Sequence, residues 1–180
     1  GDKYECDVDP NKEGYDYTFY VLTSATSGTG YTLSGYSQTN AGTHTITATL
    51  SSGYRWSDNA TGTKTFTCSI SKYTPSISLS ATSGSVAYNS TSTFTATPTT
   101  ISSCLGTLSS TSGTTDNITI TSGASISNAA SGTAQTITYK GVGNTGTSSK
   151  ITVKYTPTDT ANCNSATNKT FTADVIKSLK

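Results

Sequence analysis

The residues able to do acid–base or nucleophilic chemistry are few and poorly grouped. The chain has one histidine, His44, four cysteines and ten carboxylates. Six of the carboxylates (Asp2, Glu5, Asp7, Asp9, Glu13 and Asp16) fall within the first 16 residues. Catalysis needs a proton donor, a proton acceptor and a reacting group within reach of one another. His44 alternates with Ile46, Ala48 and Leu50, so it reads as a packed imidazole on an apolar strand face. No triad and no acid pair can be assembled, and the chain is expected not to be an enzyme.

Cys6, Cys68, Cys104 and Cys163 form no CxxC pair, and only His44 stands ready as a nitrogen ligand. That spacing does not make a zinc site. Pairing within each half gives Cys6–Cys68 and Cys104–Cys163, separated by 62 and 59 residues. Cys68 shares a strand face with Phe66 and Ile70 and should point inward. The four cysteines read as two buried structural disulfides formed in an oxidising compartment. Loop-closure entropy assigns each about 4 kcal/mol, against about 5–15 kcal/mol for the net stability of a domain. The competing reading is buried free thiols.

Asp7-Val8-Asp9-Pro10-Asn11-Lys12-Glu13-Gly14 alternates oxygen ligands as a calcium loop does. Position six is Lys12 where glycine is needed, and position twelve is Thr18 where an acid is needed. A solvated acidic turn is the plainer reading, and neither metal nor cofactor is expected. Tyr54, Arg55 and Trp56, with Tyr31 and Tyr36, could form an aromatic platform that stacks on sugar rings. Against it stands a structural role, with Trp56 as a core or hairpin plug. Threonine rows at 43/45/47/49 and 63/65/67 read as solvated strand faces in which Thr–Thr pairs add a few tenths of a kcal/mol each. The regular hydroxyl spacing is also that of an ice-binding surface. Lys64, Lys154 and Lys169 lie in or near strands, but acids that would promote an isopeptide cross-link are scarce. Asn59, Asn89, Asn117 and Asn168 sit in Asn-x-Ser/Thr sequons, which matter only in a eukaryotic secretory host.

The elements that hold these residues read as short strands. Thr numbers 40 and Ser 29, and both alternate with Ile, Phe, Val, Tyr and Ala rather than running together. Alternation puts one residue kind on each face of a strand, and β-branched Thr suits such a surface. Only 32% of residues are hydrophobic, thin for one large core and sufficient for thin sandwiches. A leading strand and turn are expected within residues 1 to about 14, and strands at 15–22, 31–33, 43–50 and 63–70. In the second half they are expected at 76–80, 86–88, 91–98, 117–121, 133–142, 149–155 and 170–176. Ser71-Lys72-Tyr73-Thr74-Pro75 marks a short, stiff boundary, giving modules 1–72 and 73–180. A net charge of +1 with 12% charged residues argues against nucleic-acid binding. No apolar run reaches the ~20 residues of a membrane helix. With neither initiator Met nor signal peptide, the chain reads as a monomeric fragment or mature segment of a longer protein.

Particular runs carry a resemblance. In the first half they are Gly30-Tyr31-Thr32-Leu33-Ser34-Gly35, Asn40-Ala41-Gly42-Thr43, Ala48-Thr49-Leu50, Gly53-Tyr54-Arg55-Trp56-Ser57-Asp58 and Thr63-Lys64-Thr65. Together they resemble a repeat of secreted and surface proteins of Gram-positive gut bacteria and their phages, over roughly 15–72. In the second half they are Ile77 to Gly84, Ser92-Thr93-Phe94-Thr95-Ala96 and Tyr155 to Thr160, with Asn162 and Asn164. This half resembles bacterial immunoglobulin-like (Big-type) domains. An aromatic is usual in the first pattern where His44 and Cys68 stand, and a tyrosine in the second where Cys163 stands. The cysteines thus look like late substitutions into packed positions. The resemblance implies an all-β chain of two tandem small immunoglobulin-like β-sandwiches, each with one disulfide, acting as a non-catalytic spacer in a cell-surface, secreted or virion protein. The alternative is an adhesin binding a glycan or host protein through end loops or an edge strand.

Overall fold

The computed structural model describes residues 4–5, 18–19, 30–56, 59–113, 117–143 and 148–176. It is all-β, and among the described residues the one helical element is a single 3-10 turn at Ser102–Cys104. The chain divides into two compact units, Gly1–Lys72 and Tyr73–Lys180.

The first unit contains β1 (Tyr4–Glu5), β2 (Thr18–Phe19), β3 (Tyr31–Ser34), β4 (Ser37–Gln38), β5 (Gly42–Leu50) and β6 (Lys64–Ile70). One sheet runs β2-β6-β5-β3, and β1 pairs separately with β4. The remainder of the strand expected at 15–22 lies outside the described residues, and β4 was not foreseen. Alternation along β5 and β6 buries Ile46, Ala48, Phe66, Cys68 and Ile70 on one face. Tyr31, Leu33 and Trp56 join this core. The opposite face carries only hydroxyl residues on three strands: Thr32 and Ser34, Thr43 to Thr49 at alternate positions, and Thr65, Thr67 and Ser69. They stand in register as Thr32↔Thr49, Ser34↔Thr47↔Thr65, Thr45↔Thr67 and Thr43↔Ser69. The Thr43 and Ser69 hydroxyls are 3.1 Å apart.

The second unit contains β7 (Ser76–Leu79), β8 (Ser83–Ala87), β9 (Thr91–Thr99), β10 (Gly106–Ser112), β11 (Ile118–Ser122), β12 (Ser125–Ile126), β13 (Gln135–Gly141), β14 (Ser148–Pro157) and β15 (Lys169–Ile176). Two sheets, ordered β12-β10-β14-β15-β8 and β11-β13-β9-β7, enclose one core. This is a β-sandwich, filled by alternate residues of both sheets. Phe94 of β9 stacks on Phe171 of β15 across the two sheets, with centroids 4.1 Å apart and planes 7° off parallel. Tyr139 packs against Phe171 at 5.4 Å. The pairings are antiparallel except β15 with β8, which is parallel. β10 and β12 have no counterpart among the expected strands, and the strand expected at 86–88 runs Ser83–Ala87.

Candidate functional site

The five residues proposed as an aromatic platform do not share a surface. Trp56 is 3% exposed and Tyr31 6%. Their rings lie 6.0 Å apart, tilted by 45°. The loop after β5 fixes the indole from several sides. Its Nε1–H donates to the Gly62 carbonyl at 2.9 Å. The Trp56 backbone N–H donates to Ala60 O, and its carbonyl accepts from the Asn59 N–H. The Lys64 ammonium sits 5.2 Å from the ring centroid, a cation–π distance. The indole is part of the core cluster that holds Ile46, Ala48, Phe66 and Cys68 of the four-stranded sheet. Tyr36 is half-buried against the same core. Tyr54, half exposed, and Arg55 remain outside. A Cβ added at Gly30 would collide with the Tyr54 ring, and Gly30 adopts φ +88. Glycine is required there on both counts. The platform therefore reduces to Tyr54 and Arg55, since an indole enclosed on both faces offers none to a sugar.

His44 pairs across the ladder with Cys68, and its Nε2 lies 2.6 Å from the Asn40 carbonyl. The imidazole is held locally, beside a residue that is disulfide-bonded. Cys6, the expected partner of Cys68, and the acidic run 7–14 lie outside the described residues. Among the described residues no group of three or more His, Cys, Asp or Glu side chains could hold a metal, and no helix is long and apolar enough to cross a membrane.

The second cysteine pair gathers the polar ties of one sandwich end. Cys104 and Cys163 are bonded, both buried, with Cα atoms 5.8 Å apart. The bond does not run between the two sheets through the core. It joins the turn ahead of β10 to the loop after β14. The Thr100 hydroxyl donates to the Cys104 carbonyl at 2.9 Å, and the Thr100 N–H donates to Ser131 Oγ at 3.0 Å. Asp159 caps the other loop, accepting from the Asn162 N–H and from its Nδ2. Tyr73 crosses this loop as a parallel bridge to Cys163. Its N–H donates to Asn162 O at 3.0 Å, and its carbonyl accepts from the Asn164 N–H at 2.7 Å. Nearby, the buried Tyr155 hydroxyl accepts from the Gly106 N–H at 2.8 Å and donates to Ala129 O at 3.0 Å. The expected strand 149–155 contains Tyr155, but the sequence pattern assigns its hydroxyl no partner. The inward run Ile151, Val153, Tyr155 was the available signal, because a buried phenol usually finds a partner.

No family model matches the chain, and no curated protein matches it. Among solved structures it is similar to domains 4 and 5 of the S-layer protein SbsC, with 21% identity over 87% of this chain and 82% of that one, at TM-score 0.42. It spans 22% of the SbsC structure of domains 1–6. The Clostridium thermocellum CbhA fibronectin(III)-like modules are similar at 15% identity over 78% of this chain and 66% of theirs, TM-score 0.40. Native E. coli alpha-2-macroglobulin is similar at 15% identity over 79% of this chain and 9% of that one, TM-score 0.42. Likeness at this level assigns neither a family nor a function.

Proposed function

We propose that this chain is a non-catalytic structural module of a bacterial or phage surface protein. It would consist of two tandem immunoglobulin-like β modules and serve as a disulfide-stabilised spacer outside the cell. The carrying observation is the strand order of the second unit. Lettered along the chain, β7, β9, β13 and β11 take the places of A, B, E and D in one sheet. In the other, β10, β14 and β15 take those of C, F and G. Those places match the constant-type immunoglobulin order and support the reading, with β8 beside β15 and β12 beside β10 as additions to it. The Cys104–Cys163 bond supports an oxidising compartment. The bacterial or phage assignment rests on the sequence resemblance.

The adhesin reading keeps one exposed aromatic, Tyr54, beside Arg55. The test is binding of the oxidised chain to glycans, mucin, cell-wall polymers and matrix proteins. A spacer is expected to give no saturable signal. Saturable binding that disappears in Tyr54→Ala, with folding intact, overturns the spacer reading in favour of an adhesin. Intact mass with alkylation before reduction should show no modified thiol.

A further inference from the structure

The bond between Cys104 and Cys163 lies outside the core cluster of the second unit, whereas Cys68 belongs to that of the first. What it holds is a loop. Strand β14 ends at Pro157 and β15 begins at Lys169. Near its two ends the connecting run is tied to neighbouring segments: the Thr158 N–H donates to Leu105 O at 3.0 Å, and the Ala166 N–H donates to Tyr155 O at 3.1 Å. Within it, the Asp159 carboxylate accepts from the Asn162 N–H and Nδ2, and the Asp159 carbonyl accepts from the Cys163 N–H. Those local bonds shape the loop without attaching it to the rest of the unit. The disulfide is a covalent tie in its middle.

The same loop seats the chain that enters the second unit. Between Lys72, where the first unit ends, and β7 stand Tyr73, Thr74 and Pro75. The Tyr73 N–H donates to Asn162 O at 3.0 Å, and its carbonyl accepts from the Asn164 N–H at 2.7 Å. Asn164 Nδ2 donates to the Thr74 hydroxyl at 3.0 Å. All of these bonds go to the two residues that flank Cys163. A segment bonded into a ladder inherits the ladder's rigidity, but this one is bonded to a loop and is only as steady as the loop.

We propose that Cys104–Cys163 is a linker fastener. It holds the loop that seats Tyr73 and Thr74, and so keeps the entering segment part of the second unit. Without the bond the seat moves with the loop, and 73–75 become free chain. The connection between the units then lengthens by about 10 Å, at about 3.5 Å per residue. A bond between the two sheets through the core could close as long a loop, yet it would not reach the entering segment. The use of the fastener rests on the spacer reading, since a spacer passes position from one module to the next only through a joint of fixed length.

The test is nitrogen-15 relaxation of the backbone amides, on the full oxidised chain and on its Cys104→Ser/Cys163→Ser variant. Order parameters report ps–ns motion within the native state, so a lower overall stability does not move them while the variant stays folded. In the oxidised chain Tyr73, Thr74 and Asn164 are expected near the value of about 0.85 of rigid backbone, level with Val153 of β14. In the variant those three should fall below about 0.6, while Val153 keeps its value and shows the sandwich intact. Unchanged values at Tyr73 and Thr74 overturn the fastener, because the seat then holds without the bond. A fall confined to Asn164 overturns it as well, because the loop then loosens without releasing the linker. If the variant does not fold, the oxidised chain decides: Tyr73 and Thr74 as rigid as Val153 uphold the fastener, and lower values overturn it. A positive binding panel overturns the spacer reading and leaves these values where they are.

Discussion

Ser110 and Tyr155 put opposite demands on the second core. Ser110 Oγ is buried and makes no hydrogen bond within the protein. Removing a buried hydroxyl that lacks a partner relieves a desolvation cost of about 1–3 kcal/mol, less the packing it gives up. Ser110→Ala is therefore expected to raise stability by about 1 kcal/mol, read as a higher urea midpoint at unchanged slope. Tyr155→Phe does the reverse, since it strands the Gly106 N–H and the Ala129 carbonyl that the phenol serves. The expected loss is about 1–3 kcal/mol, and a loss below about 0.5 kcal/mol would mean that other groups take over. At this scale the sequence was a partial guide. The inward Cys68 was legible from its alternation with Phe66 and Ile70. The burial of Trp56 agrees with its reading as a core or hairpin plug, which came from the resemblance and not from periodicity, since a loop residue has none to read.

Strands were legible where apolar residues alternated strongly. β5, β6, β9, β13 and β14 fall within one or two residues of their expected positions. β10 escaped because its inward positions are Gly106, Leu108, Ser110 and Ser112, a single apolar residue among small ones. Tertiary pairing with β14 made the strand, overriding a weak local signal. Gly106 shows how close that pairing is, since a Cβ there would run into the Thr156 backbone. The division of faces on β6 gives a sharper test. Phe66 is 3% exposed and its neighbour Thr67 is exposed. Phe66→Ala is expected to cost about 3–5 kcal/mol through the cavity it leaves. Thr67→Ala should cost under about 1 kcal/mol, the worth of one solvated cross-strand pair. Comparable losses at the two positions, measured by urea unfolding of the first unit, would contradict the assignment of faces.

For the whole molecule the question is whether the two halves unfold as one. The two core clusters share no residue: one gathers around Trp56 and Phe66, the other around Phe94, Tyr139 and Phe171. Stability held in separate cores is lost in separate transitions, so the proposed modules 1–72 and 73–180 should give two calorimetric steps rather than one. The disulfide identifies which step is which. Replacing both Cys104 and Cys163 by Ser leaves no unpaired thiol and frees a loop of 59 residues. The cost is about 4 kcal/mol by loop-closure entropy. For a unit of this size, each kcal/mol lowers the midpoint by about 4–8 °C, so one transition should fall by about 15–30 °C. The other should stay within about 2 °C, because nothing in the first core loses a contact. A common shift of both transitions would mean that the halves stabilise each other and that the proposed boundary at 72/73 is not a thermodynamic one. A single transition that moves as a whole would mean the same.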